Sequence, residues 1–220
     1  MIGSRRIKAI VGHYGSGKTE VAMNLAIALA KTQKVTLVDL DIVNPYFRTK
    51  DSLERLTAAG IKLISSEYAN SNVDIPAIPQ EMYSVVDDKE NYYIIDLGGD
   101  DRGAYAMGRY ADAIKEEGSY EMLFVFNKYR PLTPDAESAL EVMREIEEAS
   151  KVKFTAIVNN SNIGELTDKN AVLASRAECE KLSLLSGLPL RFTAVNETLC
   201  DEVKEEIPDV FPLALQKKII

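Results

Sequence analysis

Gly12-His13-Tyr14-Gly15-Ser16-Gly17-Lys18-Thr19 stands between a β-branched apolar run, Ile7–Val11, and an apolar helix-forming stretch, Thr19–Lys31. The spacing is G-x-x-x-x-G-K-[ST], and strand, loop, helix is the context in which it builds a phosphate cradle. The glycines reach backbone conformations closed to residues with side chains, so N–H groups can turn onto phosphate oxygens. The helix that follows brings the positive end of its dipole to the same point. Lys18 is expected to neutralise the β- and γ-phosphates, and the Thr19 hydroxyl to bind Mg²⁺. Gly12, His13, Tyr14, Gly15, Ser16, Gly17, Lys18, Thr19 and Glu20 form the expected nucleotide-binding set.

Two acidic strand ends are expected to complete this site. The second strand runs into Asp39-Leu40-Asp41, and the fourth ends in Asp96-Leu97-Gly98-Gly99. In a parallel sheet the C-terminal strand ends share one edge with the phosphate loop, so these carboxylates converge on the nucleotide. Asp96 is expected at the metal, acting through its bound water. Asp41 is expected to position the attacking water, and the Gly99 N–H to sense the γ-phosphate in a segment that rearranges on hydrolysis.

The rest of the chain repeats the alternation. Strands are expected at Ile7–Val11, Lys34–Val38, Ile61–Ile64, Tyr92–Ile95, Met122–Phe126, Phe154–Val158 and Leu190–Ala194. Each is nearly all apolar, the pattern of a sheet covered on both faces. Helices are expected at Thr19–Lys31, Asp51–Ala59, Ala104–Glu117 and Asp168–Ser186, the last stopped by Gly187. One more opens at Thr133-Pro134 as N-cap and first helical residue, with Leu140, Met143 and Ile146 as its apolar stripe. Short connections imply right-handed crossovers. Ser65–Gln80, with Pro76 and Pro79, reads as a long loop, a candidate partner or substrate segment. The expected fold class is α/β, three layers, with a mostly parallel sheet of about seven strands and helices on both faces, in a single domain over residues 1–220.

Composition narrows the function. Lys plus Arg number 26 against 34 Asp plus Glu, a net charge of −8, which argues against a general nucleic-acid surface. The two cysteines, Cys179 and Cys200, form no C-x-x-C and exclude a self-contained four-cysteine metal site. No apolar run reaches transmembrane length, and MIGSRRIKAIVG lacks a signal-peptide core, so a cytoplasmic location is expected. Phe211–Ile220 is short and interrupted by Pro212, too weakly amphipathic to predict membrane targeting.

GHYGSGKT, VDLD at the end of the second strand and IIDLGG at the end of the fourth resemble the MinD/ParA/CobQ-type ATPases of the SIMIBI class of P-loop proteins. The resemblance implies a P-loop NTPase fold with ATP and Mg²⁺ as ligands. It places Lys18 on the phosphates, Thr19 on the metal, Asp39 and Asp96 as its outer partners, and Asp41 as the catalytic carboxylate. Many members pair face to face across two ATP molecules, using an extra lysine early in the loop. His13, the single histidine, holds that position here and Tyr14 replaces a glycine, which sets the homodimer in question. A neutral imidazole is a poor substitute for an ammonium at pH 7.

GTPases read guanine with the Asp of N/T-K-x-D, which accepts two hydrogen bonds from the base. Asn127-Lys128-Tyr129-Arg130 opens like that motif but ends in a guanidinium, which accepts none. Val158-Asn159-Asn160-Ser161-Asn162 has no Asp in place, so ATP is expected, with Asn159 or Asn160 meeting the adenine edge and Val195-Asn196-Glu197 as a further candidate. The expected function is a Mg²⁺-dependent slow ATPase that switches with ATP and ADP for a protein partner. The alternatives are an ATP-dependent ligase or small-molecule kinase like the dethiobiotin and cobyrinate synthases, or a non-hydrolysing nucleotide-binding scaffold. No arginine cluster of the kind that lines a kinase lid is visible.

Overall fold

Strand β1 (Ile7–Val11) sends Ile7, Ala9 and Val11 into one apolar cluster and Ile10 into another. A strand buried on both faces needs cover on both, and a parallel sheet with helices above and below supplies it. The computed structural model describes residues 4–41, 50–65, 85, 88–98 and 101–215. The strands after β1 are β2 (Val35–Leu40), β3 (Lys62–Ser65), β4 (Tyr92–Leu97), β5 (Tyr120–Phe126), β6 (Ala156–Asn159), β7 (Leu190–Asn196) and β8 (Val210–Leu213). They form one sheet in the order β3-β2-β4-β1-β5-β6-β7-β8, with every pairing parallel. The chain travels outward from β1 on one side through β2 and β3, returns at β4, and leaves on the other side at β5. That reversal opens a crevice beyond the C-terminal ends of β1 and its neighbours.

The α-helices whose bounds lie among the described residues are α1 (Lys18–Ala30), α2 (Lys50–Ala58), α3 (Asp101–Gly108), α4 (Ala111–Glu117), α5 (Ala136–Ser150), α6 (Lys169–Ser186) and α7 (Cys200–Val203), with 3₁₀ turns at Gly164–Leu166 and Glu197–Leu199. α1 buries Val21, Ala22, Met23, Leu25 and Ala26 against one sheet face, together with Leu56 of α2. Met107, Ile114, Met143 and Leu182, from α3 to α6, cover the other. No helix among the described residues is long and apolar enough to cross a membrane.

Four elements depart from expectation. The Ala104–Glu117 helix is two, α3 and α4, because Gly108 lies against the end of α5, where a Cβ would come 3.2 Å from Ala149 O. α5 starts at an Asp135 N-cap, whose side chain accepts from Ser138 N, rather than at Thr133. Thr133 Oγ1 is buried and donates to Asn127 O instead. β6 begins at Ala156 because Thr155 Oγ1, not a backbone carbonyl, accepts from Met122 N. β8 is an eighth strand, in a segment where no strand was expected. It tolerates Pro212 because it is the edge of the sheet, where one row of N–H groups has no strand to donate to. Ser65–Gln80 beyond Ser65, Gly99 and the last five residues lie outside the described residues.

Candidate nucleotide-binding site

The phosphate loop leaves β1 at the centre of the sheet and enters α1 at Gly17. Gly17 has φ +85° and Gly15 φ +76°, the left-handed region where a Cβ is strained. Space demands glycine as well. A Cβ on Gly12 would stand 2.6 Å from Val125 O, and one on Gly17 would overlap Asn160 Nδ2. Lys18 is buried, its Nζ turned back to His13 O at 3.5 Å. His13 is half-buried, and its Nδ1 donates to Tyr14 O at 3.0 Å, while the Tyr14 ring is 65% exposed.

The acidic strand tips arrive beside this loop. Asp39 of β2 and Asp96 of β4 are direct cross-strand partners, and Asp39 Oδ1 accepts from Asp41 N at 3.0 Å. Thr19 Oγ1 donates to Asp96 Oδ2 at 2.7 Å. Burial pushes the Asp96 carboxyl up from its ordinary 3.8 to about 7; Lys18 and the Thr19 hydroxyl oppose the rise, and the charge of Asp41 adds to it. Lys18, Thr19, Asp39, Asp41 and Asp96 are therefore one cluster.

The donor set fits Mg²⁺. Among the described residues no three His, Cys, Asp or Glu side chains gather into a cage. Mg²⁺ is usually held by one or two carboxylates together with substrate phosphates and waters, so a cage is not needed. Asp96 Oδ1 is buried with no hydrogen-bond partner, as are Ser16 Oγ and Arg130 Nε around the same loop. Buried polar atoms are nearly always paired, so three orphans around one loop mark where a polar ligand belongs.

From Gly15 and Gly17 a cavity of about 550 Å³ runs toward β7 and β8. Its polar lining includes Glu20, Asp51, Arg130, Asn160 and Asn196, and Val195, Leu199, Leu213 and Leu215 form an apolar wall. The apolar end is the part that sequence reading missed, because Leu213 comes from β8 and Leu215 from just beyond it. The signal was Val210–Leu213, a short apolar run like the other strands. The chain beyond β8 is fastened to the site: Ala214 N donates to Asn24 Oδ1 of α1, and Arg55 of α2 donates to Ala214 O.

The asparagines expected to read a base divide. Asn159 is fully buried, donates to Ser175 Oγ and accepts from Ser161 N, and it does not line the cavity. Its amide is spent inside the protein, which corrects the expectation of base contact there. Asn160 lines the cavity but gives its amide nitrogen to Ser16 O at 2.7 Å, bracing the phosphate loop. Asn196 Oδ1 accepts from Thr198 N and Thr198 Oγ1, which leaves its amide N–H groups as its donors at the cavity.

A glycine loop entering a helix from the central strand, beside carboxylates on the neighbouring strand tips, is the arrangement of P-loop nucleotide-binding proteins. This chain is one of them, of the SIMIBI class. It belongs to the CobQ/CobB/MinD/ParA nucleotide binding domain family, which it matches over residues 9–197. No curated protein matches it. Its fold is similar to chloroplast FtsY from Physcomitrella patens at 17% identity and TM-score 0.58, covering 90% of this chain and 61% of that one. Cell division protein FtsY from Thermotoga maritima gives 19% and 0.55, covering 88% and 62%. Signal recognition particle receptor FtsY from Elizabethkingia anophelis, in complex with GDP, gives 16% and 0.51, covering 88% and 58%. This chain thus spans about three-fifths of the length of these proteins.

Proposed function

We propose that this chain is a Mg²⁺-dependent ATP-binding protein that hydrolyses ATP slowly and uses its nucleotide state to control a protein partner. The observation that carries the reading is the Thr19–Asp96 hydrogen bond beside Lys18, with Asp96 Oδ1 left for a further ligand. The loop amides and Lys18 would grip the phosphates. Thr19, Asp39 and Asp96 would hold Mg²⁺, which when bound neutralises charge on the β- and γ-phosphate oxygens. Asp41 would orient the attacking water, and Gly99 would report the γ-phosphate. Catalysis of this kind is positioning and electrostatics rather than covalent chemistry.

ATP is the preferred nucleotide because neither strand-end loop offers a carboxylate where guanine would be read: Arg130 ends one, and Asn160-Ser161-Asn162 forms the other. The chain acts as a single cytoplasmic domain in this reading, with no nucleic-acid or membrane partner.

The test measures ATP and GTP hydrolysis, with and without Mg²⁺, for wild type and Lys18→Ala. ATP turnover above GTP turnover, dependent on Mg²⁺ and lost in Lys18→Ala, is the expected result. Equal use of GTP would overturn the base assignment. Tight ATP binding without turnover would favour the scaffold, and turnover only with an added small-molecule acceptor the ligase or kinase.

A further inference from the structure

Asn127-Lys128-Tyr129-Arg130 follows β5, and the function proposed above uses none of its side chains. The first three are tied down structurally. Asn127 is fully buried and its Oδ1 accepts from Tyr129 N and Asn162 N, clamping the loop after β5 to the loop after β6. Lys128 Nζ donates to Ala174 O and Tyr129 OH to Ala171 O, both on α6. The turn itself is closed by Arg130 N donating to Asn127 O, Thr133 N to Arg130 O, and Thr133 Oγ1 to Asn127 O. The backbone at Arg130 is therefore set before any ligand arrives, which lowers the ordering cost of binding there.

The Arg130 side chain is the exception. Among the described residues its guanidinium makes no hydrogen bond and no ion pair, and its Nε is buried. Nε, Cζ and Cδ lie 3.5, 3.6 and 3.7 Å from the point where a Cβ on Gly15 would stand, so this end of the side chain is against the phosphate loop. Arg130 also lines the cavity that starts at Gly15 and Gly17. It is the single cation among the described lining residues, which carry the carboxylates of Glu20, Asp51 and Glu165. A buried donor is nearly always paired, and a polyanion that enters past acidic side chains needs positive charge where it comes to rest. An oxyanion at the loop end of the cavity meets both demands. We infer that Arg130 is a phosphate ligand, a second cation that works with Lys18 and the loop amides on the phosphates of the bound nucleotide. Several donors in one planar fork suit a guanidinium to phosphate oxygens. The inference rests on the nucleotide reading of the site and adds a residue that holds the ligand's charge. It also supplies a use for an arginine standing where a guanine-reading loop would end in Asp: the position serves phosphate rather than base.

The test compares dissociation constants of ATP and of inorganic tripolyphosphate, both with Mg²⁺, for wild type, Arg130→Gln and Arg130→Lys, together with the melting temperature of each apo protein. Gln removes the charge, and Lys keeps it without the planar fork. Arg130→Gln is expected to weaken ATP and tripolyphosphate alike, by about ten- to a hundredfold, and Arg130→Lys to weaken both by less. The apo melting temperature is expected to hold in both variants, because the guanidinium has no partner to lose. ATP weakened with tripolyphosphate unchanged would put Arg130 on the nucleoside and overturn the inference. Unchanged affinity for both ligands would overturn it too, with the nucleotide reading intact, and so would wild type that binds ATP but not tripolyphosphate. A lower apo melting temperature in both variants would make Arg130 a brace of the loop, against the inference. Wild type that binds neither ligand would overturn the nucleotide reading and this inference together.

Discussion

Thr19 Oγ1 and Asp96 Oδ2 share a 2.7 Å hydrogen bond, while the other Asp96 oxygen is buried with no partner. The carboxylate is thus half-satisfied in a place where burial opposes its charge. Its folded pKa, about 7, exceeds the ordinary 3.8. Between those values the folded carboxyl holds a proton that the unfolded one has released, so its contribution to stability is lost as pH rises through that window. Asp96→Asn removes the charge and keeps the shape. The apo variant should be more stable than wild type by on the order of 1–3 kcal/mol at pH 8. It should also lose the added stability that Mg²⁺ and ATP give wild type. Melting curves with and without both ligands, at pH 5 and pH 8, check the two halves of this prediction.

Gly17 and Asn160 form a second dependent pair. The glycine has φ +85°, and the asparagine amide occupies the place where its Cβ would go while bracing Ser16 O. Gly17→Ala should destabilise the fold by about 1–3 kcal/mol and abolish nucleotide binding. Adding Asn160→Ala removes the overlap but not the backbone strain. The double variant should therefore regain only part of the lost stability, as read from urea midpoints. Full recovery would mean that φ at Gly17 is not held by the loop.

The phosphate loop and the acidic strand tips were legible because their information is local. Glycine spacing, a preceding strand and a following helix are contained in residues 7–31, and hhhhD patterns mark Asp39 and Asp96. Long-range partners were not legible. Nothing near Asn159 says that Ser175 of α6 takes its amide, and nothing near Arg130 says that Gly15 lies beside it. β8 was hidden by Pro212, a residue that normally argues against a strand and is acceptable only at a sheet edge, a fact of topology. The break between α3 and α4 depends on the approach of Gly108 to α5, again a tertiary contact.

Away from the site, Lys8 of β1 and Glu121 of β5 form a buried ion pair at 2.5 Å, with Arg191 of β7 on the other Glu121 oxygen. Burial pushes the Lys8 ammonium below its ordinary pKa, against the pull of Glu121. Glu121→Ala strands the Lys8 charge in the core and should cost about 3–5 kcal/mol. Lys8→Met combined with Glu121→Leu removes both charges and should recover most of that loss in denaturant titrations. If the single and double variants are equally unstable, packing rather than charge is what Glu121 supplies.

Cys179 of α6 is buried beside Leu182, and burial pushes its thiol up to about 12. A thiolate is the reactive form, so native protein at pH 8 should leave Cys179 unlabelled by a thiol reagent. Cys179 should become labelled only when the chain is unfolded in denaturant. Mass spectrometry of the labelled peptide gives the readout, and rapid native labelling would show that α6 opens locally.

His13 occupies the loop position from which, in the pairing relatives that the sequence resembles, a lysine reaches the partner's nucleotide. Its Nδ1 donates to the Tyr14 carbonyl, so in the neutral imidazole the proton sits on Nδ1 and Nε2 is an acceptor. An acceptor turned toward a phosphate gains nothing, and the ring is therefore no replacement for an ammonium. His13→Lys restores a permanent cation on a flexible stem. Wild type with ATP and Mg²⁺ should sediment as a monomer, and His13→Lys should shift toward a dimer under the same conditions. ADP should reverse that shift, because the γ-phosphate charge the lysine would meet is gone. A wild type that already dimerises on ATP would mean that pairing in this chain does not depend on a loop lysine, and the exposed Tyr14 ring beside it would be the first contact to remove.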